Sequence, residues 1–448
     1  MRQARVASDE GDYSMKTSDE TAMQQLSEDP SANLRPSFSR RMFGAAAALA
    51  GAGFFGGDAT AQTRAEQVAG RRGNNPSDPG PENKSLLAEN PSANNPPFTD
   101  HGNPGPIWFS FDLAPKRMQG GGWTHQVTQR ELPPSKDLAG VNMRLTAGSF
   151  RELHWHTANE WAIMLTGKAR VSVMQPDGKM FIDDVEAGDL WYFPAGYPHS
   201  IQGLKGDGPT GDGCEFLLVF DEGGFSEDDT FLLSEFLAHT SPEMLEKNTG
   251  WSRQVFDQLP PTELYIFEAP LPGSLEDDKR FLGANLETKI KYTFRMASMP
   301  PSGKTTGGET RVVDSTNFPV ASNIAAAMVT IKPGGLLEMH WHPNVSEWQY
   351  WIKGKGRMTV VTTGAKARTM DFNANDVGFV PTMAGHCIEN TGTEDLVFLE
   401  MFKTSRYQDI SLNQWISRMP DKMAEAHLKL AAHIIRSAPQ DKHDVLPV

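Results

Sequence analysis

The chain has 448 residues, 38% of them hydrophobic, with 24 Phe and 10 Trp, enough to give two or three domains an apolar core each. It contains no run of about 18 or more apolar residues, which argues against a membrane-spanning helix, and its net charge of −14 argues against nucleic acid or an anionic membrane as the main partner. Two cysteines, Cys214 and Cys387, rule out a disulfide framework or a Cys-rich zinc site, and both are expected as free, mostly buried thiols.

Ser39-Arg40-Arg41-Met42-Phe43 precedes an Ala/Gly-rich apolar stretch from Gly44 to Gly57, followed by Ala59-Thr60-Ala61. Paired arginines before a short apolar segment and a small-residue cleavage site form the pattern of a twin-arginine export signal. So much glycine would make a poor core helix. Residues 1–61 are therefore expected to be a signal peptide, with Met15 and Met23 as candidate starts. The export machinery is then a partner, and the mature protein is periplasmic or extracellular, without a membrane anchor. Residues 62–104 are rich in Asn, Pro, Gly and Ser, as in Asn94-Asn95-Pro96-Pro97. They bury little and read as a linker or extended arm.

The remainder divides into residues 105–262 and 263–448, because one pattern occurs twice, about 186 residues apart. That period indicates duplicated domains, since solenoid repeats run to about 20–50 residues. Arg-Glu-Leu-His-Trp-His at 151–156 matches Leu-Glu-Met-His-Trp-His at 337–342, Glu160-Trp161 matches Glu347-Trp348, Gly167 matches Gly354, and His199 matches His386. In the first copy, residues 168–174 alternate with period two and Pro176-Asp177-Gly178 is a hairpin turn. Residues 357–362 play the same part in the second, before Thr363-Gly364. Ser241-Pro242 opens a helix, and residues 411–436 read as one or two more. The fold class is mainly β with short helical appendages.

His154 and His156 stand two apart on a strand and so share a face. Glu160 follows after a short turn, and His199 arrives from a further strand. Three imidazoles and a carboxylate suit a divalent ion such as manganese or iron. The second copy offers His340, His342, Glu347 and His386. A single histidine is more often a core or surface residue, but the same four residues at nearly the same spacing twice point to two metal sites.

These residues spell a known motif. Gly148-x5-His154-x-His156-x3-Glu160-x6-Gly167 and Gly334-x5-His340-x-His342-x4-Glu347-x6-Gly354 resemble the first cupin motif. Gly188-x5-Pro194-x-Gly196-x2-His199 resembles the second, with Gly203 where the family often has Asn. In the second copy Asn375 and Met383 replace its glycines, while Pro381, His386 and Asn390 remain. The resemblance implies two tandem cupin (jelly-roll) barrels. From about Pro104 to Val448 the chain is similar to the bicupin oxalate decarboxylases, notably at 181–185, 188–194, 215–221 and 411–415.

That resemblance implies conversion of oxalate to formate and CO2, two Mn2+ per chain, dioxygen as cofactor, and a homo-oligomer (trimer or hexamer). It implies that Arg151 binds the substrate carboxylate, although strict alternation would point it away from the ligand face. It implies that Glu227, in Ser226-Glu227-Asp228-Asp229, is the proton-carrying lid residue, with Asp228-Asp229 departing from the family's uncharged continuation. Glu400 resembles the second-site acid, and Leu337 stands where many relatives have a second arginine. The alternatives are an oxalate oxidase giving CO2 and peroxide, which the lid acid disfavours, and a non-enzymatic metal-binding bicupin. A ring-cleaving iron dioxygenase is disfavoured by the glutamate ligands. Trp155 and Trp341, each between two ligands, are read as packing residues.

Overall fold

Strand and turn signals along the chain build the same unit twice. A computed structural model describes residues 82–206 and 212–448; the export segment lies outside the described residues. The first barrel comprises β1 (Ala139–Leu145), β2 (Phe150–Trp155), β3 (Glu160–Met174), β4 (Met180–Glu186), β5 (Leu190–Phe193), β6 (His199–Gly203) and β7 (Cys214–Phe220). The second comprises β8 (Ala325–Ile331), β9 (Leu336–Trp341), β10 (Glu347–Lys353), β11 (Lys355–Thr362), β12 (Lys366–Asn373), β13 (Asp376–Val380), β14 (Gly385–Asn390) and β15 (Leu396–Phe402).

Each barrel is two facing antiparallel sheets. In the first, β1, β7, the start of β3 and β5 form one sheet, and β2, β6, the rest of β3 and β4 form the other. The single long strand β3 serves both, and along it Ala169, Val171 and Val173 point into the core. The second barrel repeats this order, but its long strand breaks at Gly354 into β10 and β11.

A third apolar cluster joins the barrels, with Trp161 and Tyr192 of the first packed among Trp348, Tyr350 and Phe379 of the second. The segments leading into each barrel are exchanged. Trp108–Ser110 pairs antiparallel with β13 of the second barrel, and Thr293–Phe294 pairs with β5 of the first. The arm follows the same rule: Ser92 N–H donates to Asp371 at 2.6 Å, and His101 bridges to Ala367. Residues 264–267, which the sequence reading gave to the second barrel, lie against the first, with Ile266 paired to Arg151.

The helical appendages follow each barrel. Pro242–Thr249 opens on Ser241 and closes on Gly250 in the left-handed conformation. After the second barrel come three short helices, Leu412–Arg418, Asp421–Leu428 and Ala432–Ile435, one more than expected. A helix at Leu275–Leu286 was not anticipated, although Ser274 caps it and Glu276, Asp277 and Asp278 fill its first turn, the residues that favour a helix start.

Asn375 (φ 75°) and Met383 (φ 64°) take left-handed conformations in the turns where the family has glycine. Asn tolerates that region, and Asn375 also accepts from the Tyr350 hydroxyl at 2.9 Å. Gly148 is less replaceable: its φ is +90°, and a Cβ there would lie 2.1 Å from Ala269 O. Gly178 (φ +81°) faces open space. Gly148→Ala should therefore lower the melting temperature by about 5 °C or more, and Gly178→Ala by about half of that or less, in parallel thermal scans.

Candidate metal centres

Strand pairing brings the first ligand set together. His154 of β2 lies directly across from His199 of β6, His156 follows β2, and Glu160 begins β3. Their ligand atoms all lie within 4.8 Å of one another, and all four residues are buried. Each imidazole is held by its far nitrogen. Nδ1 of His154, His156 and His199 lies 2.6, 2.7 and 2.7 Å from the carbonyls of Glu152, Ala158 and Tyr197. Nδ1 must donate to these carbonyls, which leaves Nε2 as a lone-pair donor facing the centre. Glu160 Oε1 accepts from Trp191 Nε1 at 2.9 Å, while Oε2 turns to His156 and His199 at 3.2 and 3.5 Å.

The second set repeats this. Nδ1 of His340, His342 and His386 meets the carbonyls of Glu338, Gln408 and Ala384. Glu347 Oε1 accepts from Gln349 at 2.6 Å. The Nε2 atoms of His199, His340, His342 and His386 and Oε2 of Glu347 are buried without a hydrogen-bond partner. Buried polar atoms are rarely left so, and converging nitrogen and carboxylate donors fit a divalent metal at each centre.

Electrostatics agree with this donor set. Burial pushes the His154, His199 and His340 rings down, for His154 reinforced by the Arg151 charge. Burial opposes ionisation of Glu160 and Glu347, but the facing imidazoles prevail and hold both carboxyls below the usual range. Burial also works against a charged His386, but there the Glu347 charge prevails and raises it.

Arg151 lies in the first pocket, and the pairing explains why. Between Arg151 and His154 the β2–β6 register shifts: three steps along β2 oppose two along β6. This bulge inverts the alternation, so residues three apart both face inward. Arg151 is 3% exposed, its Nη1 donates to Tyr265 O at 3.3 Å, and its guanidinium lies 4.0 Å from the centre of the Tyr265 ring. A tight cavity, with free volume of about 10 Å³, is lined by Arg151, His154, His156, Glu160, Glu227 and Tyr265, among others.

Glu227, on a short turn capped by Ser226, reaches this cavity from above. Its Oε2 accepts from Thr124 Oγ1 at 2.9 Å and from the Tyr265 hydroxyl. Burial pushes the Tyr265 phenol far up, so it stays a neutral donor. Tyr265, Thr124 and Glu152 were missed in the sequence. Glu152 is buried and accepts from Ser234 N at 2.7 Å and Tyr265 N at 2.9 Å, tying β2 to the helix Leu233–Ala238 and to the Tyr265 segment. The repeat offered a signal for it, because Glu338 holds Ser411 in the second barrel in the same way.

The second centre differs around its ligands. The same register shift recurs between Leu337 and His340, and it delivers a buried leucine where the first delivers Arg151. Glu400 lies opposite Gln349, 1% exposed, with Oε1 unpartnered. Burial and the nearby Glu347 charge raise its pKa well above the usual carboxylate range. Lys442 acts on it from the C-terminal tail but is already paired with Asp409 and Asp444. Trp155 stacks on Phe231, and Trp341 packs against Trp415.

Comparison with known proteins gives consistent matches. The cupin family model matches residues 111–255 and 294–436. The chain is 48% identical over 366 residues to the oxalate decarboxylase of Bacillus subtilis (strain 168), covering 82% of this chain and 93% of that protein. It is 38% identical over 373 residues to a probable oxalate decarboxylase of Arthroderma benhamiae, covering 81% and 89%. A solved structure from a study of the Mn(II) centres of the Bacillus subtilis enzyme superposes with a TM-score of 0.79 at 47% identity, covering 83% of this chain and 96% of that one. A structure of that enzyme at pH 4.6 matches with the same TM-score at 48% identity, covering 82% and 94%.

Two outcomes follow. His156→Ala and His342→Ala should each reduce bound manganese from two ions to about one per chain by elemental analysis, leaving the other centre filled. In metal-free protein, His154, His199 and His340 bind protons more weakly folded than unfolded. Their contribution is present above the unfolded pKa of 6.5 and is lost as pH falls; His386 opposes it. The melting temperature of the metal-free protein should drop between about pH 7 and pH 5, and bound manganese should raise it more at pH 7 than at pH 5, because the metal needs unprotonated imidazoles.

Proposed function

Because this chain belongs to the cupin family, as a two-barrel oxalate decarboxylase with a metal-binding cluster in each barrel, we propose that its first centre carries the reaction and that Arg151 and Glu227 perform it. The net change is hydrogen oxalate to formate and CO2. Manganese held by His154, His156, Glu160 and His199 supplies Lewis-acid and one-electron chemistry when bound. The reaction is redox-neutral overall, so dioxygen, the proposed second cofactor, is not consumed.

Arg151 orients the substrate: a guanidinium in a nearly dry pocket binds a carboxylate through two parallel hydrogen bonds, and its seat on Tyr265 fixes the direction of that fork. Glu227 moves the proton. The donors Thr124 and Tyr265 both engage Oε2, leaving Oε1 to take the oxalate proton and return it to carbon after CO2 departs. The cavity is small, which limits water around the reacting groups. The observation carrying this reading is the meeting of Arg151, Glu227 and a complete ligand set in one cavity.

The second centre has Leu337 in place of an arginine and acidic neighbours in Asp409 and Asp444, a poor site for an anionic substrate. We assign its metal a structural role, with Glu400 retaining its proton as a neutral buried acid. Two further proposals rest on other features. Arg40-Arg41 and the apolar segment after them support export of the folded protein to the periplasm or beyond. Exposed Phe236, Met244, Trp251, Trp415 and Met423 on the helical appendages support a homo-oligomer.

Manganese-loaded protein given oxalate in air at mildly acidic pH should yield formate close to the oxalate consumed, with little peroxide. Glu227→Gln should lower formate turnover by about 100-fold or more and raise the peroxide share; undiminished formate would refute the assignment. Arg151→Ala should lower kcat/KM for oxalate by about 100-fold or more while both metals remain bound.

A further inference from the structure

The lid over the first centre rests on a hairpin that neither supplies a ligand nor lines the metal. Its strands, Arg117–Gln119 and Gly122–Val127, extend the sheet beside β1. Three of its side chains reach the lid turn. Thr124 donates to the Glu227 carboxylate, Gln126 Oε1 accepts from the Glu227 backbone N–H at 3.4 Å, and Arg117, the cross-strand partner of Thr124, donates through Nη1 to Asp228 Oδ1 at 3.1 Å. The second arm of the Arg117 fork donates to Glu263 Oε1 at 2.6 Å, and its guanidinium lies 3.6 Å from the centre of the Tyr265 ring.

We propose that Arg117 is a positioning residue for the reaction, a latch that holds the lid closed by joining Asp228 to Glu263 and clamping Tyr265 beneath Glu227. The proposal rests on Glu227 being the proton-carrying group. One guanidinium fixes both supports of that carboxylate: the lid that bears it and the phenol that hydrogen-bonds to it. Arginine suits this task because its planar fork binds two carboxylates while its face lies on an aromatic ring. The latch is of moderate strength, since the Asp228 side chain is 76% exposed and that of Arg117 25%. It therefore biases the lid without locking it, as substrate entry and product exit require. Asp228 makes the latch a property of this chain's own lid sequence.

An open lid withdraws the proton source. Hydrogen oxalate oxidised to completion by dioxygen then gives two CO2 and one hydrogen peroxide, with two electrons passing to dioxygen, one proton coming from the substrate and one from solvent. The formate-to-peroxide ratio thus reports lid closure. Purified manganese-loaded Arg117→Ala and Asp228→Asn should each lower that ratio by about fivefold, the scale of a partly exposed ion pair, with KM for oxalate nearly unchanged because Arg151 is intact. Asp228→Asn should add nothing in the Arg117→Ala background. Raising ionic strength should lower the ratio in the unmodified enzyme but not in Arg117→Ala.

Glu227→Gln serves as the control. If it loses formate while Arg117→Ala keeps the unmodified ratio, the latch is refuted and the role of Glu227 stands. A fall in kcat for Arg117→Ala at constant ratio would reduce Arg117 to a structural residue and overturn the proposal. If Glu227→Gln keeps full formate output, the premise fails and the latch fails with it.

Discussion

Everything at the two centres depends on the desolvation of polar atoms inside an apolar barrel. Three imidazole nitrogens and a carboxylate oxygen converge where water could otherwise satisfy them, surrounded by side chains such as Phe220 and Phe225. Such groups are costly to bury unpaired, and a cation shared among them offsets the cost. The peptide carbonyls behind each ring complete the arrangement, because a backbone acceptor on Nδ1 decides which nitrogen can bind. Ligand geometry, tautomer and charge state are thus consequences of where three strands pass one another.

Much of this was legible in the sequence because ligation uses the simplest periodicity of a strand. His154 and His156 share parity, Glu160 and His199 begin their strands, and the duplication removed chance as an explanation. Orientation that depends on a departure from periodicity was not legible. Alternation pointed Arg151 outward, and only the one-residue bulge before His154 turns it inward. The same bulge precedes His340, so it belongs to the fold itself. Tyr265, Thr124, Gln126 and Arg117 come from a connector and an edge hairpin, which no local pattern ties to the site. Their assembly is set by pairing between residues more than a hundred positions apart. The helix at Leu275–Leu286 shows the converse: its cap and acidic first turn were readable locally but stand outside the repeat that organised the rest.

Duplication followed by divergence explains the unequal centres. Both barrels keep the bulge, the carbonyl-locked imidazoles and a buried glutamate, Glu152 or Glu338, that fastens the strand to the following helix. Their differences lie in what the bulge presents. The first barrel presents the Arg151 cation in a cavity shared with Glu227, and the second a leucine near Asp409 and Asp444. Metal binding needs only the shared part, whereas the proposed recognition of a small anion rests on the divergent part.

The exchanged strands bear on the order of synthesis. Trp108–Ser110 leaves the ribosome before either barrel exists, yet its partner, Asp376–Val380, is made near the end. The first barrel's sheet in turn waits for Thr293–Phe294, which is translated after all its other strands. Neither barrel can close its hydrogen-bonded edges from its own contiguous stretch of chain, so the pair matures as one folding unit. An open sheet edge invites pairing with other chains, and here one is covered only after Thr293–Phe294 has been made and the other only after Asp376–Val380. A chain truncated between the barrels would leave two complementary edges bare, Leu190–Phe193 on the portion already made and Trp108–Ser110 without its partner, making association between unfinished copies the characteristic hazard of this architecture.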